Sequence, residues 1–341
     1  MTLDHHLPGL LRRARLLLGL AGGPPDALSA REVRPAADAV LRLHAGLVGD
    51  RSLAQPSTYS GPSLGAYLLW WWPQTYLKTQ AVLRMVPMVR SPRILDAGSG
   101  PAPAALAALD LLGGEAVCFD ASEAALEEAR ALGIARTVRE LPAESFDLTL
   151  AANVLSELDD PAAFVRRLSG TVVLIEPALR ETGRALLVLR DALLGEGWFA
   201  LAPCLTQRAC PALASPKDWC TAEVRWTPPR YFRQLADATG LRADEMLSFA
   251  PLVLGRAASV PQAESWRVVG VPQPEKGKKR VWVCREERVP LVRLDRDASE
   301  SNADIDRLAR GDLVQLAGLV RRGDGLRAGK ESTVRRQEPF G

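Results

Sequence analysis

Histidine is scarce in this 341-residue chain: His5, His6 and His44 are the three present, all far from the cysteines in sequence. A cysteine nucleophile therefore has no nearby histidine to act as its base. Long apolar runs are also missing, since no uninterrupted segment reaches the ~18 residues of a membrane-spanning helix. The opening Met1–Leu10 carries Asp4, His5 and His6 where a secretory signal would be apolar. Nor is there a strong excess of one charge. The formal net charge of +3 permits nucleic-acid contact through local patches without arguing for it. These absences exclude a membrane-spanning protein and lead us to expect a cytoplasmic one with no membrane partner. The hydrophobic content of 47% supports a sizeable core, and the length suits two domains or one large domain with additions.

Five cysteines are present, and three of them fall within nineteen residues as Cys204-x5-Cys210-x9-Cys220. In a reducing compartment such a cluster reads as metal ligands or reactive thiols before disulfides. The close Cys-x2-Cys hairpin of zinc knuckles is absent, as is the Cys-x3-Cys-x2-Cys of radical S-adenosylmethionine enzymes. With no histidine nearby, Cys284 is the leading fourth ligand, at the end of the strand-like Val281-Trp282-Val283. An all-thiolate set suits zinc or an iron–sulfur cluster; buried free thiols are the alternative. Cys118 reads as an ordinary core residue of a strand.

Residues 1–89 are expected to be helical, with apolar periodicity over Leu7–Leu20, Arg31–Val48 and Leu64–Val89 and a turn-rich stretch at 50–62. Pro73 is expected to kink the third segment or begin a new helix. Trp70, Trp71 and Trp72 read as packing residues in preference to a platform for RNA bases. From Arg93 to about residue 258 strands and helices alternate, which specifies a mostly parallel sheet with right-handed crossovers. Residues 259–322 read as a small β-rich module that carries Cys284. The stretch 323–341, with Lys330, Arg335 and Arg336, reads as a flexible basic tail.

The loop Asp96-x-Gly98-Ser99-Gly100 lies between the first strand and its helix, where glycines let the backbone turn tightly against a ligand. Asp120 ends the next strand, where a carboxylate can accept hydrogen bonds from ribose hydroxyls. Pro103 stands where a dinucleotide loop would have its third glycine, and Ala102 where many methyltransferases have another. An acidic residue opening a short Gly-x-Gly loop resembles motif I of the class I S-adenosylmethionine-dependent methyltransferases. Asn153, after the fourth strand, and Glu176, after the fifth, are candidate ligand-shell residues. Asn153 is followed by Val154-Leu155, so the Asn-Pro-Pro-aromatic motif of amino-methyltransferases is absent.

A more specific likeness joins these parts. Leu95-Asp96-Ala97-Gly98-Ser99-Gly100-Pro101, Val154-Leu155-Ser156-Glu157-Leu158, Ile175-Glu176-Pro177, Ala202-Pro203-Cys204, Cys210-Pro211, Asp218-Trp219-Cys220 and Val253-Leu254-Gly255-Arg256 occur in that order, ahead of Cys284. The chain resembles, from about Tyr67 to Leu313, the methyltransferase-like assembly-factor family of the small ribosomal subunit. That resemblance implies a class I methyltransferase (Rossmann-like) α/β domain with a C-terminal extension. It implies a [4Fe–4S] cluster on Cys204, Cys210, Cys220 and Cys284, and S-adenosylmethionine at Asp96, Gly98, Ser99, Gly100, Asp120, Asn153 and Glu176. The implied partner is the small ribosomal subunit and its rRNA, with no DNA. The family's Cys-Pro-His segment is here Cys204-Leu205-Thr206, and its Trp-Cys-His/Ser-Phe segment is Trp219-Cys220-Thr221-Ala222. The competing reading is a small-molecule or RNA methyltransferase with a structural zinc site on the same four cysteines. Lys276-x-Lys278-Lys279-Arg280, with Arg285, Arg293 and the tail, is the candidate rRNA clamp.

Overall fold

The computed structural model describes residues 2–49, 61–257 and 265–338. The expected turns at 50–62 therefore lie outside the described residues but for the last two, as does the expected boundary near 258. Three helices come first. α1 (Leu3–Leu18) turns Leu3, Leu7, Leu10, Leu11 and Ala14 inward. α2 (Ala30–His44) begins at Ser29, whose N–H donates to Glu32 Oε2 at 2.7 Å; the same carboxylate takes the buried Arg15 Nε at 2.7 Å. α3 (Pro62–Leu83) passes through Pro73 as one 22-residue helix, so no second helix begins there. Residues on both sides of Pro73 are buried against neighbours, and that packing outweighs the roughly 3 kcal/mol a mid-helix proline costs. Trp70 stacks on Phe232 at 4.1 Å, and Trp72 stacks on Tyr76 at 5.4 Å, so these two tryptophans pack internally as expected.

The central sheet is built by β1 (Arg93–Ala97), β2 (Glu115–Phe119), β3 (Arg136–Val138), β4 (Leu148–Ala152), β5 (Thr171–Pro177), β6 (Phe199–Ala202), β7 (Ala222–Arg225) and β8 (Met246–Gly255). Between them lie α4 (Pro103–Leu112), α5 (Glu123–Ala131), α6 (Pro161–Arg166), α7 (Arg180–Leu194) and α8 (Arg230–Thr239). The strand order is β3-β2-β1-β4-β5-β8-β6, with β7 on the free stretch of β8. β1 to β5 run parallel, whereas β8 is antiparallel to β5, pairing Val172 with Leu254 and Pro177 with Phe249. A doubly wound sheet with one antiparallel strand inserted near its edge is the class I methyltransferase fold. Its switch point lies between β1 and β4, at the carboxyl ends where such sheets bind ligands.

A second sheet follows, of β9 (Ser265–Val268), β10 (Gln273–Glu275), β11 (Lys278–Cys284), β12 (Arg288–Leu294), β13 (Leu313–Ala317), β14 (Val320–Arg322), β15 (Gly325–Ala328) and β16 (Thr333–Arg336). The order is β14-β15-β12-β11-β9-β13-β16, over a core that includes Val281, Val283, Leu291, Val314 and Val334. The stretch expected to be a flexible tail thus supplies two strands. Ala328 and Val334 are buried, and Arg336 meets Asp312 at 3.0 Å while its N–H donates to Asp304. Among the described residues no helix is long and apolar enough to cross a membrane.

Candidate functional site

Two buried carboxylates, Asp96 and Glu176, and the half-buried Asp120 stand at the carboxyl ends of β1, β5 and β2. Gly98, at φ +76°, opens the loop after β1, and a Cβ there would meet Val154 Cγ2 at 2.5 Å. The backbone conformation and the close approach both require glycine. Gly98→Ala is accordingly expected to cost about 2–4 kcal/mol through overpacking and strain, visible as a lowered urea midpoint; an unchanged midpoint would contradict this geometry. Gly100, at φ +51°, faces open space, and Ala102 takes the left-handed φ of +58° that glycine more often occupies.

Asp120 ties the loop down: its Oδ2 accepts from Gly100 N–H at 2.7 Å and its Oδ1 from Ser122 N–H at 2.8 Å. Ser99 is buried, and its hydroxyl donates to the Gly100 carbonyl at 3.2 Å. Asp96 is 1% exposed and accepts from Ala105 N–H at 2.9 Å, capping the first turn of α4. That contact occupies a helix N–H that a pyrophosphate would use, and the surrounding acids repel such a group. Glu176 is 2% exposed; Oε1 accepts from Leu155 N–H at 3.0 Å, while Oε2 has no partner among the described residues. Burial pushes Asp96 up to about 7, with the Asp120 charge adding to it. Burial likewise pushes Glu176 up to about 7 against the pull of the Leu155 and Val154 N–H groups, and it raises Asp120.

Asn153 sits at the end of β4 with φ +59°; its N–H donates to Ile175 O at 2.7 Å and its amide to Thr75 Oγ1 at 3.4 Å. Thr75 also hydrogen-bonds Tyr67, whose hydroxyl lies in the fields of Asp96 and Asp120. Tyr67 and Thr75 escaped sequence reasoning because they come from α3, which has no motif. Among the described residues no ion pair neutralises Asp96, Asp120 or Glu176. A group of unneutralised acids with an orphaned carboxylate oxygen fits a cationic ligand and disfavours a dinucleotide.

The four cysteines outside the central sheet converge from three elements. Cys204 follows β6, Cys210 and Cys220 lie in the loop before β7, and Cys284 ends β11. Cys204, Cys220 and Cys284 line one cavity of about 20 Å³ with Pro203, Thr206 and Arg267. Cys210 packs beside Cys220 on Leu187, and its N–H donates to Asp191 Oδ2 at 2.9 Å. All are free thiols, and Cys118 is fully buried in β2, as its strand position implied. Burial, reinforced by the neighbouring sulfurs, raises Cys210 and Cys220 and pushes Cys284 up to about 12. Among the described residues, however, no three His, Cys, Asp or Glu side chains are disposed to hold a metal ion.

Two arginines are buried against the thiols. Arg190, fully buried, donates to Thr206 O and to Arg208 O at 2.9 Å. Arg267 donates to Pro203 O at 2.9 Å and to Gly311 O at 2.8 Å, joining the cysteine loop to the second sheet. Both guanidiniums place positive charge beside the thiols, charge that would suit an all-thiolate centre, although Arg190 also pairs with Asp191.

Four cations of the expected rRNA clamp are engaged in ion pairs. Lys278 and Arg280 both pair with Glu275, at 2.9 and 3.0 Å, and Lys279 pairs with Asp306. Arg293 is buried in a fork with Asp306 at 2.9 Å.

A sequence model of the family described as "Mitochondrial small ribosomal subunit Rsm22" matches residues 63–294. No curated protein matches the chain. Solved structures similar to it include a protein from Pyrococcus horikoshii proposed to be an RNA methyltransferase, 12% identical, covering 55% of this chain and 86% of that one at a TM-score of 0.35. An S-adenosylmethionine-dependent methyltransferase from Mesorhizobium loti is 28% identical over 28% of this chain and 52% of its own, with a TM-score of 0.26. Geranyl diphosphate C-methyltransferase from Streptomyces coelicolor A3(2) is 12% identical, covering 53% and 78%, at a TM-score of 0.34.

Proposed function

Because the chain belongs to the Rsm22 family of the small ribosomal subunit, we propose that it is a methyltransferase-like factor acting on that subunit and its rRNA during maturation. In this reading S-adenosylmethionine occupies the hollow at the carboxyl edge of the sheet. The observation that carries the cofactor is the set of acids with no internal counter-charge, the buried Asp96 and Glu176 and the half-buried Asp120, around a loop opened by Gly98 and Gly100. When bound, the cofactor supplies a sulfonium-activated methyl group. Asp120 accepts the ribose hydroxyls with the lone pairs that Gly100 and Ser122 leave free. The orphaned Glu176 oxygen and Asp96 hold negative charge near the cofactor's cationic groups, and Ser99 and Asn153 line the cleft. Asn153 is followed by Val154 and Leu155, which pack into the protein and provide no aromatic slot for a target base.

Cys204, Cys210, Cys220 and Cys284 form a structural metal centre in this proposal, fastening the second sheet to the first. The family resemblance favours a [4Fe–4S] cluster. The small cavity favours the alternative, a single zinc ion, because a cluster would have to spread the loop around it.

Calorimetric titration with S-adenosylmethionine tests the cofactor assignment. Wild-type protein is expected to bind, and Asp120→Asn to bind about 10-fold or more weakly, since a charge-assisted hydrogen bond contributes roughly 1.5–3 kcal/mol. Equal affinities for the two proteins, or no binding to the wild type, would remove the cofactor from this reading.

A further inference from the structure

A cavity of about 170 Å³ opens between the second half of α3, the start of α8 and the β7–β8 pair. Gln74, Lys78, Trp226, Arg242, Asp244 and Ser248 line it. Neither the acidic hollow nor the thiol centre uses any of these residues.

The cavity lies at the same edge of the sheet as the acidic hollow. Phe249 pairs with Pro177 at the end of β5, so Met246–Ser248 project beyond that edge. Thr75, which receives the Asn153 amide, stands one helical turn before Lys78. Lys78 has no hydrogen bond or ion pair among the described residues, and desolvation alone draws it from 10.5 to about 8. The acid in the cavity, Asp244, already faces Arg242 at 3.8 Å. Lys78 therefore leaves the cavity with one uncompensated cation. The floor is rigid: Trp226 Nε1 donates to Asp244 O at 2.7 Å, and the indole meets Phe232 edge-on at 4.8 Å.

A partly buried ammonium beside a fixed aromatic floor selects an anion carried on a larger, partly apolar ligand. We propose that this cavity is a phosphate subsite for an RNA strand laid across the carboxyl edge of the sheet, with Lys78 as the contacting cation. The two neighbouring sites then have opposite preferences, the acidic hollow taking a cation and the Lys78 cavity a backbone phosphate. This inference rests on the rRNA-directed reading above and adds where the strand is held.

The test is binding of the full chain to transcribed small-subunit rRNA over a series of KCl concentrations, for wild type, Lys78→Met and Lys78→Arg. Inorganic phosphate, followed by tryptophan fluorescence, is the competing probe. Lys78→Met is expected to flatten the slope of log affinity against log salt by about 0.7–0.9, the value of one phosphate contact, and to weaken binding about 5-fold near 0.1 M salt. Lys78→Arg is expected to keep the wild-type slope. Rather than uncovering a new apolar surface, the Met variant removes a desolvated charge, so it is expected to fold. RNA binding by the wild type with the same slope in Lys78→Met overturns the subsite alone. Absence of RNA binding by the wild type overturns the rRNA reading and the subsite together. A Lys78-dependent response to inorganic phosphate with no Lys78 effect on RNA assigns the cavity to a free anion and overturns the RNA assignment.

Discussion

Cys284→Ser is expected to strip the metal from anaerobically purified protein and to lower its melting temperature by about 10 °C. In the proposed centre Cys284 is the one ligand from the second sheet, so its thiolate would join β11 to the loop carrying Cys204, Cys210 and Cys220. Losing a structural cross-link of this kind costs about 3–5 kcal/mol, and in a protein of this size 1 kcal/mol corresponds to roughly 2–4 °C. Metal and sulfide analysis of the wild type decides the centre's identity. About four irons with four acid-labile sulfides per chain establish the cluster; one zinc without sulfide establishes the alternative. Neither metal, with a melting temperature unmoved by Cys284→Ser, would return the thiols to the core. The buried arginines make a second readout available. Arg267→Met is expected to weaken metal retention, because it removes a buried positive charge from beside the thiols of the proposed centre.

The stability of the cofactor-free protein is expected to fall as pH rises from 5 to 8, the reverse of what ion-paired carboxylates produce. Asp96 and Glu176 are raised from 3.8 and 4.5 to about 7 by burial. The folded state therefore keeps protons that the unfolded chain has already released. Their contribution is complete below about pH 4 and is lost as pH passes through about 7. At ~1.4 kcal/mol per pH unit, the ceiling is about 3–4 kcal/mol for each group. Asp304 and Asp306, held low chiefly by hydrogen bonds and ion pairs that for Asp306 outweigh its burial, act in the opposite sense, and their window lies at lower pH. Urea titrations every half pH unit from 5 to 8 check the expectation. Asp96→Asn is expected to flatten the curve and to be more stable than wild type at pH 8. Saturating S-adenosylmethionine is expected to flatten it as well, by supplying the missing positive charge. A curve that rises across this range would show that the acids are solvated or paired, and the cofactor argument would lose its main support.

Much of the acidic hollow is legible in the sequence because its signals are local. Asp96, Gly98 and Gly100 occupy a strand–loop–helix junction, and Asp120 ends the next strand. The positive φ at Gly98 and the cap on Ala105 are short-range consequences of those residue types. The alternation from Arg93 onward likewise specifies a parallel sheet. Shorter elements leave no such signal. β6 and β7 have four residues each, flank the cysteine loop and owe their existence to pairing with β8.

Sequence by itself determined the class of fold, the acidic glycine loop and the four thiols available as ligands, because strand and helix periodicity, turn chemistry and residue type act over a few neighbouring positions. Tertiary structure alone decided how charges are spent. Lys278, Lys279, Arg280 and Arg293 form a basic array in the sequence, yet all four are engaged by two carboxylates, Glu275 and Asp306. Arg336, expected in a free tail, is fixed by Asp304 and Asp312. Lys78, inconspicuous in its helix, lines a cavity with no hydrogen bond or ion pair among the described residues. Coulomb energies depend on distance and desolvation in space, and contacts between residues far apart in the chain set both.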